Sequence, residues 1–341
     1  MANQTRQLAA LLADGGAEVT LVQTNPPYAP AWIGGVPVMR ALFRLVPYVV
    51  ALWRAAGRCD VMHVMANSGW SWHLFAAPAV WVGVARRRPV VVNYRGGEAE
   101  AFLGRQGGIV GRTLRRAARL VVPSGFLEAV FGRAGHPSTV VPNIVDLELF
   151  RPGPTRPPGA QLVVARNLEP IYDNATAIRA LAALAGSHPQ VRLVIAGTGP
   201  EEAALRALAA ELGVADRVRF AGRLERDAMA ALLRESDVAI NPSRVDNMPN
   251  SVLEALASGL PVVSTRVGGV PHIVQDGTTA LLIPPADPAA MAAAVGRLLD
   301  NPDLRVGLAS RGLAEVQRYA WPRVASRWSD VYRGVLARRT G

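Results

Sequence analysis

The sequence predicts an α/β protein built from two doubly wound domains. Three observations carry that expectation. Short runs rich in β-branched residues alternate with longer helical patterns along nearly all of the 341 residues. Those runs are continuously apolar, which suits parallel strands covered by helices on both faces. Residues 151–159 hold four prolines and two glycines, so they fit neither a helix nor an inner strand and read as a linker.

Taken in order, residues 3–14 read as a helix with Leu8, Leu11 and Leu12 on one face, ended by Gly15 and Gly16. In a doubly wound domain the first helix follows a strand. Either the true start lies upstream of Met1, which is the expectation, or the first domain lacks its first strand. Strands are then expected at 19–23, 61–64, 90–94, 120–123 and 139–141. Beyond the linker they are expected at 162–165, 191–196, 218–221, 238–241, 262–265 and 280–283. Residues 70–85, with His73 and Pro78 inside, are too short for a bilayer span of about twenty residues and read as a buried helix. The domains are expected at 1–150 and 151–320, with a cleft between them and ligands at the carboxyl ends of the strands. Residues 321–341 are expected to be a helix packing back towards the first domain.

Composition narrows the chemistry. Half the chain is hydrophobic, and the net charge of +11 comes from arginine alone, because there is no lysine. No lysine base, Schiff base or P-loop lysine is therefore available. Residues 1–150 hold fifteen arginines against eight acids, the remainder twenty-two against eighteen. A basic first half suits an anionic membrane surface or an acidic acceptor. Nucleic acid is not expected, since no helix-turn-helix, zinc or RNA-binding signature accompanies the charge. Cys59 stands alone, so no disulfide framework or cysteine metal cluster is expected, and a reducing, cytoplasmic setting is. The polar opening Met1-Ala-Asn-Gln-Thr-Arg6 is not a secretory signal.

The richest stretch is Asp246-Asn-Met-Pro-Asn-Ser-Val-Leu-Glu254, followed by Gly259 and Pro261-Val-Val. It places two carboxylates eight residues apart, the first on a turn and the second inside a new helix. The N–H groups opening that helix can hold an anion without a metal. Asn247 is expected to adopt a left-handed turn. Glu254 can accept two ribose hydroxyls, or serve only as a cap and dipole partner. No Asp-x-Asp motif or metal-spaced His/Asp cluster appears, so no metal is expected.

These residues resemble the E-x7-E region of retaining GT-B glycosyltransferases of family four. Residues 141–152, 194–200, 218–224 and 268–274 resemble further family motifs, in order and at typical spacing. The resemblance implies a GT-B fold and transfer of a sugar, with retention, from a UDP- or GDP-sugar to a glycan or lipid-linked hydroxyl acceptor. No cofactor is implied. The setting would be cell-envelope or exopolysaccharide assembly, with the protein cytoplasmic or peripheral at the inner face of the cell membrane. By the same resemblance Asp246 contacts the donor sugar, Glu254 holds the ribose, backbone around Ser251 and Val252 meets the diphosphate, and Arg166 binds phosphate. Gly197, Gly199, Gly222 and Arg223 line the nucleotide side; the glycines could equally be tight turns.

Three departures from the family pattern stand out. Aspartate replaces glutamate at 246. The lysine usual a few residues beyond the arginine is absent, which leaves Arg244 or another arginine to supply the second charge. Arg95 replaces a site histidine in the loop with Gly96 and Gly97, where it can hold an anion or pair with Glu98 or Glu100. His63 ends another strand and reads as a site residue or a structural one. Alternatives are a degenerate, non-catalytic nucleotide-sugar scaffold and a nucleotide-sugar epimerase, for which only Asp246 is suitably placed.

Overall fold

The structure, a computed structural model, describes residues 2–24, 37–154 and 160–340. The chain divides into two units, Met1–Pro142 with Val324–Gly341, and Asn143–Arg323. Residues 143–150, placed by the sequence in the first domain, group with the second unit. Asn143 Nδ2 donates to the Met248 carbonyl (2.9 Å) and to Asn250 Oδ1 (2.6 Å), and Val145 and Phe150 are buried in that unit's core. Of the proline-rich linker, residues 155–159 lie outside the described residues.

In the first unit, helices α1 (Ala2–Asp14) and α2 (Pro37–Ala56) precede four parallel strands. These lie in the order β1 (Met62–Ala66), β2 (Val90–Tyr94), β3 (Arg119–Val122) and β4 (Thr139–Val140). Their connections are α3 (Ala77–Ala85), α4 (Ala99–Leu114) and α5 (Gly125–Arg133). β2 is buried at all five positions, as its unbroken Val-Val-Val run requires. Trp72, Tyr94, Phe102 and Phe131 fill the core beside it. Two expectations fail here. Residues 19–23 form no strand; Val19 and Leu21 are 37% and 50% exposed, so the run lacks the burial that would hold a β-branched strand in a sheet. The apolar stretch at 70–85 is not one buried helix: it enters α3 through a π-helical turn, Trp72–Ala76, and leaves Trp70 78% exposed.

The second unit holds six parallel strands in the order β10-β9-β8-β5-β6-β7. They are β5 (Gln161–Val164), β6 (Arg192–Ala196), β7 (Val218–Gly222), β8 (Val238–Asn241), β9 (Val262–Thr265) and β10 (Leu281–Ile283). Between them run α6 (Asn174–Leu184), α7 (Glu202–Glu211), α8 (Arg226–Arg234) and α9 (Asn250–Ala257), then α10 (Pro288–Asp300) and α11 (Pro302–Val316). Strand residues split by parity between two cores. Leu162, Val164, Leu193, Ile195, Val238 and Ile240 face one; Val163, Val194, Ala239 and Val262 face the other. Asp287 and Asn301 cap α10 and α11, each followed by a proline whose missing N–H costs nothing there. The last helix, α12 (Trp321–Thr340), contributes a fully buried Trp328 to the first unit.

Strand order reverses between β5 and β8. In open parallel sheets the crevice outside the carboxyl ends of such a strand pair is where ligands bind.

Candidate active site

The crevice of the second unit is built by the segments leaving β5 and β8. Arg166 follows β5 and Asn241 ends β8, and the Arg166 Nε donates to Asn241 Oδ1 at 2.9 Å. Asn241 is fixed in turn by Ser243 Oγ (2.8 Å) and by its own Nδ2 donating to Ser264 Oγ (2.9 Å). Thr265 Oγ1 donates to the Ser243 carbonyl at 2.6 Å. The far end of the Arg166 guanidinium forms an ion pair with Asp246, both side chains about one-tenth exposed, and its Cζ lies 5.1 Å from the centre of the Tyr172 ring. The guanidinium is thus held at both ends by protein groups.

Asp246 organises its own loop. Burial pushes its carboxyl pKa up, opposed by Arg166 and by hydrogen bonds from the Asn247 and Met248 N–H groups. Asn247 has ordinary backbone geometry, not the left-handed turn expected of it, whereas Asp173, on the segment after β5, is left-handed at φ 46°. The loop is also pinned from behind. Gly269 N–H donates to the Asp246 carbonyl at 2.9 Å, and Gly268 has φ 49°. A Cβ at Gly268 would collide with that same carbonyl oxygen.

Helix α9 begins after Pro249 with no side-chain cap. The Val252 N–H turns back to the Pro249 carbonyl (3.2 Å) and Val252 is buried, so it is not the anion donor the sequence suggested. Ser251 offers more: its Oγ is buried and has no hydrogen-bond partner. One turn on, Glu254 keeps some surface exposure as a residue, while its carboxyl is enclosed by protein. Burial pushes that carboxyl up to about 7, with Arg226 and Arg166 pulling the other way. A carboxyl so raised binds its proton more tightly in the folded state. The contribution of this group to stability is then fully present below pH about 4.5 and is lost as pH rises through about 7. The predicted decline in unfolding free energy between pH 5 and 8 is on the order of 2 kcal/mol. Urea denaturation should show Glu254→Gln removing most of it, and a slope unchanged by that substitution would place the titration elsewhere.

The remaining named residues of this unit divide. Gly197 and Gly199 pack directly on the backbone of Arg166 and Leu168, where a Cβ would collide, so they position the Arg166 loop. Gly222 has φ 67° and open space around it. Arg223 points outward beside Glu225, 3.8 Å away, and is 70% exposed. Sequence reasoning missed Arg226, which opens α8, bonds Asp146 (2.9 Å) and supplies the field at Glu254. A charged residue at a helix start carries no signal of its own in sequence. Arg244 is tethered beside the Arg166 loop: its Nε donates to Asp173 (2.9 Å) and its N–H to the Ile171 carbonyl (2.8 Å).

In the first unit, Arg95, Gly96 and Gly97 follow the carboxyl end of β2, whereas His63 is the second residue of β1 and does not end the strand as expected. Asn93 joins two of them. Its Nδ2 can only donate, so His63 Nε2 accepts it (3.0 Å), and His63 Nδ1 then donates to the Tyr332 hydroxyl (2.7 Å). Burial, reinforced by Arg95, pushes the His63 pKa down to about 3. Both nitrogens are engaged and the ring is neutral, which makes His63 structural and corrects its placement among binding residues. Arg95 donates to Asn93 Oδ1 (3.1 Å); burial lowers its pKa only to about 10, so it stays charged. Glu100, one of its expected partners, pairs with Arg133 at 3.0 Å. Gly96 sits against the side-chain ends of Asn67, Ser68 and Tyr94, which would have to shift to admit a Cβ there. Gly97 follows it in the turn before α4. Among the described residues no group of three or more His, Cys, Asp or Glu side chains is placed to hold a metal.

Comparison with known proteins adds an independent view. The description "Glycosyl transferases group 1" matches residues 161–301, and "Glycosyltransferase Family 4" matches residues 1–149. A D-inositol 3-phosphate glycosyltransferase of Acidothermus cellulolyticus is 38% identical over 220 residues, 59% of this chain and 48% of the relative. An MMP alpha-(1->4)-mannosyltransferase of Mycolicibacterium hassiacum is 34% identical over 204 residues, 58% of this chain and 49% of the relative. The chain spans about half the length of the curated relatives it matches. Among solved structures, Anabaena HepE in complex with UDP-glucose superposes with a TM-score of 0.77 at 19% identity, covering 95% of this chain and 88% of that one. Sucrose-phosphate synthase of Thermosynechococcus elongatus gives 0.77 at 23%, covering 98% and 92%.

Proposed function

The chain belongs to the group 1, family four glycosyltransferases, with their GT-B architecture of two Rossmann-like units, and from that premise we propose that it transfers a hexose, with retention, from a nucleotide diphosphate sugar to a hydroxyl acceptor. The observation carrying this reading is the trio Arg166, Asp246 and Glu254 at the switch point of the second unit, beside a helix start with a buried, unpartnered Ser251 hydroxyl. Arg166 would meet the diphosphate, with Asp246 and Asn241 orienting it. Glu254 would accept the ribose hydroxyls. Arg244, tethered by Asp173, is the arginine that stands in for the family's lysine.

The chemistry is front-face displacement. The acceptor oxygen forms a bond to the anomeric carbon as the bond from that carbon to the diphosphate breaks, and the acceptor proton passes to a diphosphate oxygen. Positioning and stabilisation of the departing charge supply the rate, so no protein nucleophile or metal is needed. Uracil is the favoured base of the donor, supported by the UDP-glucose complex of HepE.

The setting we propose is cell-envelope or exopolysaccharide assembly at the inner membrane face. Val46, Val50 and Trp53 are exposed on one face of α2, and Arg86 lies 4.9 Å from the Trp53 ring. Apolar side chains flanked by arginine suit peripheral contact with anionic lipid. Among the described residues no helix is long and apolar enough to cross a membrane.

The test is incubation with UDP- and GDP-sugars plus lipid and oligosaccharide extracts. Acceptor-dependent release of nucleoside diphosphate supports transfer. Donor interconversion would mark an epimerase, and binding without turnover a scaffold.

A further inference from the structure

Three irregularities of the first unit's backbone converge on one place. Gly69 takes φ 68° in the turn after β1. The helix that follows opens with the π-helical turn Trp72–Ala76. Across from it, α4 is broken at Gln106, whose φ of −134° and ψ of 15° are not helical. Such departures inside otherwise regular elements gather at functional sites. Between them lies a cavity of about 250 Å³ lined by Gly69, Trp70, His73 and Gln106.

The lining has a definite chemistry. Trp70 presents a large aromatic surface, 78% exposed. His73 is wedged between two rings, 6.3 Å from Trp70 and 6.1 Å from Phe102, both edge-on. Its Nε2 lies 2.5 Å from Gln106 Oε1; the oxygen accepts, so Nε2 carries the proton. That bond occupies the amide oxygen and leaves the amide N–H groups of Gln106 as donors. Among the described residues no carboxylate or guanidinium lines the cavity. One flat apolar face, a hydrogen-bonding edge of imidazole and amide and a volume below the ~300 Å³ of drug-sized pockets describe a receptor for a single small ring.

We propose that this cavity binds one neutral six-membered polyhydroxy ring, its C–H face on the Trp70 indole and its hydroxyl rim against His73 and Gln106. This ring belongs to the acceptor, a point that rests on the sugar-transfer reading above. A pyranose and a cyclitol share this chemistry, and the probes below separate them.

The test follows the indole N–H resonances of the full chain by NMR during titration with methyl α-D-glucopyranoside, methyl α-D-mannopyranoside and myo-inositol. Trp70→Phe assigns the signal, and UDP binding is measured on the same samples. The expected result is a saturable shift of the Trp70 resonance with at least one ring, weakened at least roughly 10-fold by Gln106→Ala, with UDP affinity unchanged. A shift with pyranosides alone identifies a sugar; a shift with inositol alone identifies a cyclitol. The ring that binds should also accelerate nucleoside diphosphate release from the donor, at a half-saturating concentration raised by Trp70→Ala. Normal UDP binding with no probe moving Trp70 overturns the proposal. Ring binding without UDP or GDP binding keeps the ring site and sinks the transfer reading instead.

Discussion

Arg166→Ala is expected to lower kcat with the sugar donor by about 100- to 1,000-fold, the usual cost of removing one preorganised donor from a site where negative charge develops. The expectation is at the high end because the site lacks the family's lysine, and its stand-in, Arg244, is 58% exposed and shares its charge with Asp173. Two effects must be separated. Alanine also strands the buried Asp246 carboxylate, and breaking such a pair typically costs about 3–5 kcal/mol of stability. Arg166→Lys separates them, since it keeps a positive charge near Asp246. A single ammonium cannot reproduce a planar fork that bonds Asn241 through Nε while pairing with Asp246. The lysine variant should therefore recover most of the stability and little of the rate. Full activity in the lysine variant would show that Arg166 acts only as a point charge.

Gly268→Ala should be the most damaging small substitution in the second unit. The added methyl would run into the Asp246 carbonyl, a rigid backbone atom that also accepts from Gly269 N–H. The positive φ of 49° adds strain for any L side chain. Relief requires the 246–250 loop to move, and Asp246 carries Arg166 with it. A loss of about 2–4 kcal/mol in unfolding free energy is expected, together with a fall in UDP affinity. Gly222→Ala is the contrast: its φ of 67° is also positive, but nothing lies within reach of the added methyl. The two variants compared by thermal melting distinguish collision from strain alone, and equal losses would contradict the packing argument.

What the sequence disclosed follows from where the physics is local. The strands of the second unit were legible because each is buried on both faces and so reads as an apolar run. Residues 19–23 have the same composition without the burial, and composition alone cannot tell the two apart. The spacing from Asp246 to Glu254 was legible as a turn followed by a helix start. The hydrogen bonds that define it were not. Asn247 looked like a left-handed residue, yet the Asp246 carboxylate holds its N–H in an ordinary turn. His63 could have been a site residue until Asn93 and Tyr332, 30 and 269 residues away in sequence, were seen to occupy both nitrogens. Arg226 gave no sign of itself because its importance lies wholly in being near Glu254.

In the proposed donor site, Glu254 and the start of α9 form the nucleotide end. Isothermal titration of UDP into the wild type and into Glu254→Ala tests it most directly, because it needs neither the acceptor nor the sugar. Loss of two ribose hydrogen bonds to a carboxylate predicts an affinity weakened at least about 10-fold, with the fold unchanged by circular dichroism. UDP binding equally tight in a folded Glu254→Ala protein would contradict the assignment of the site.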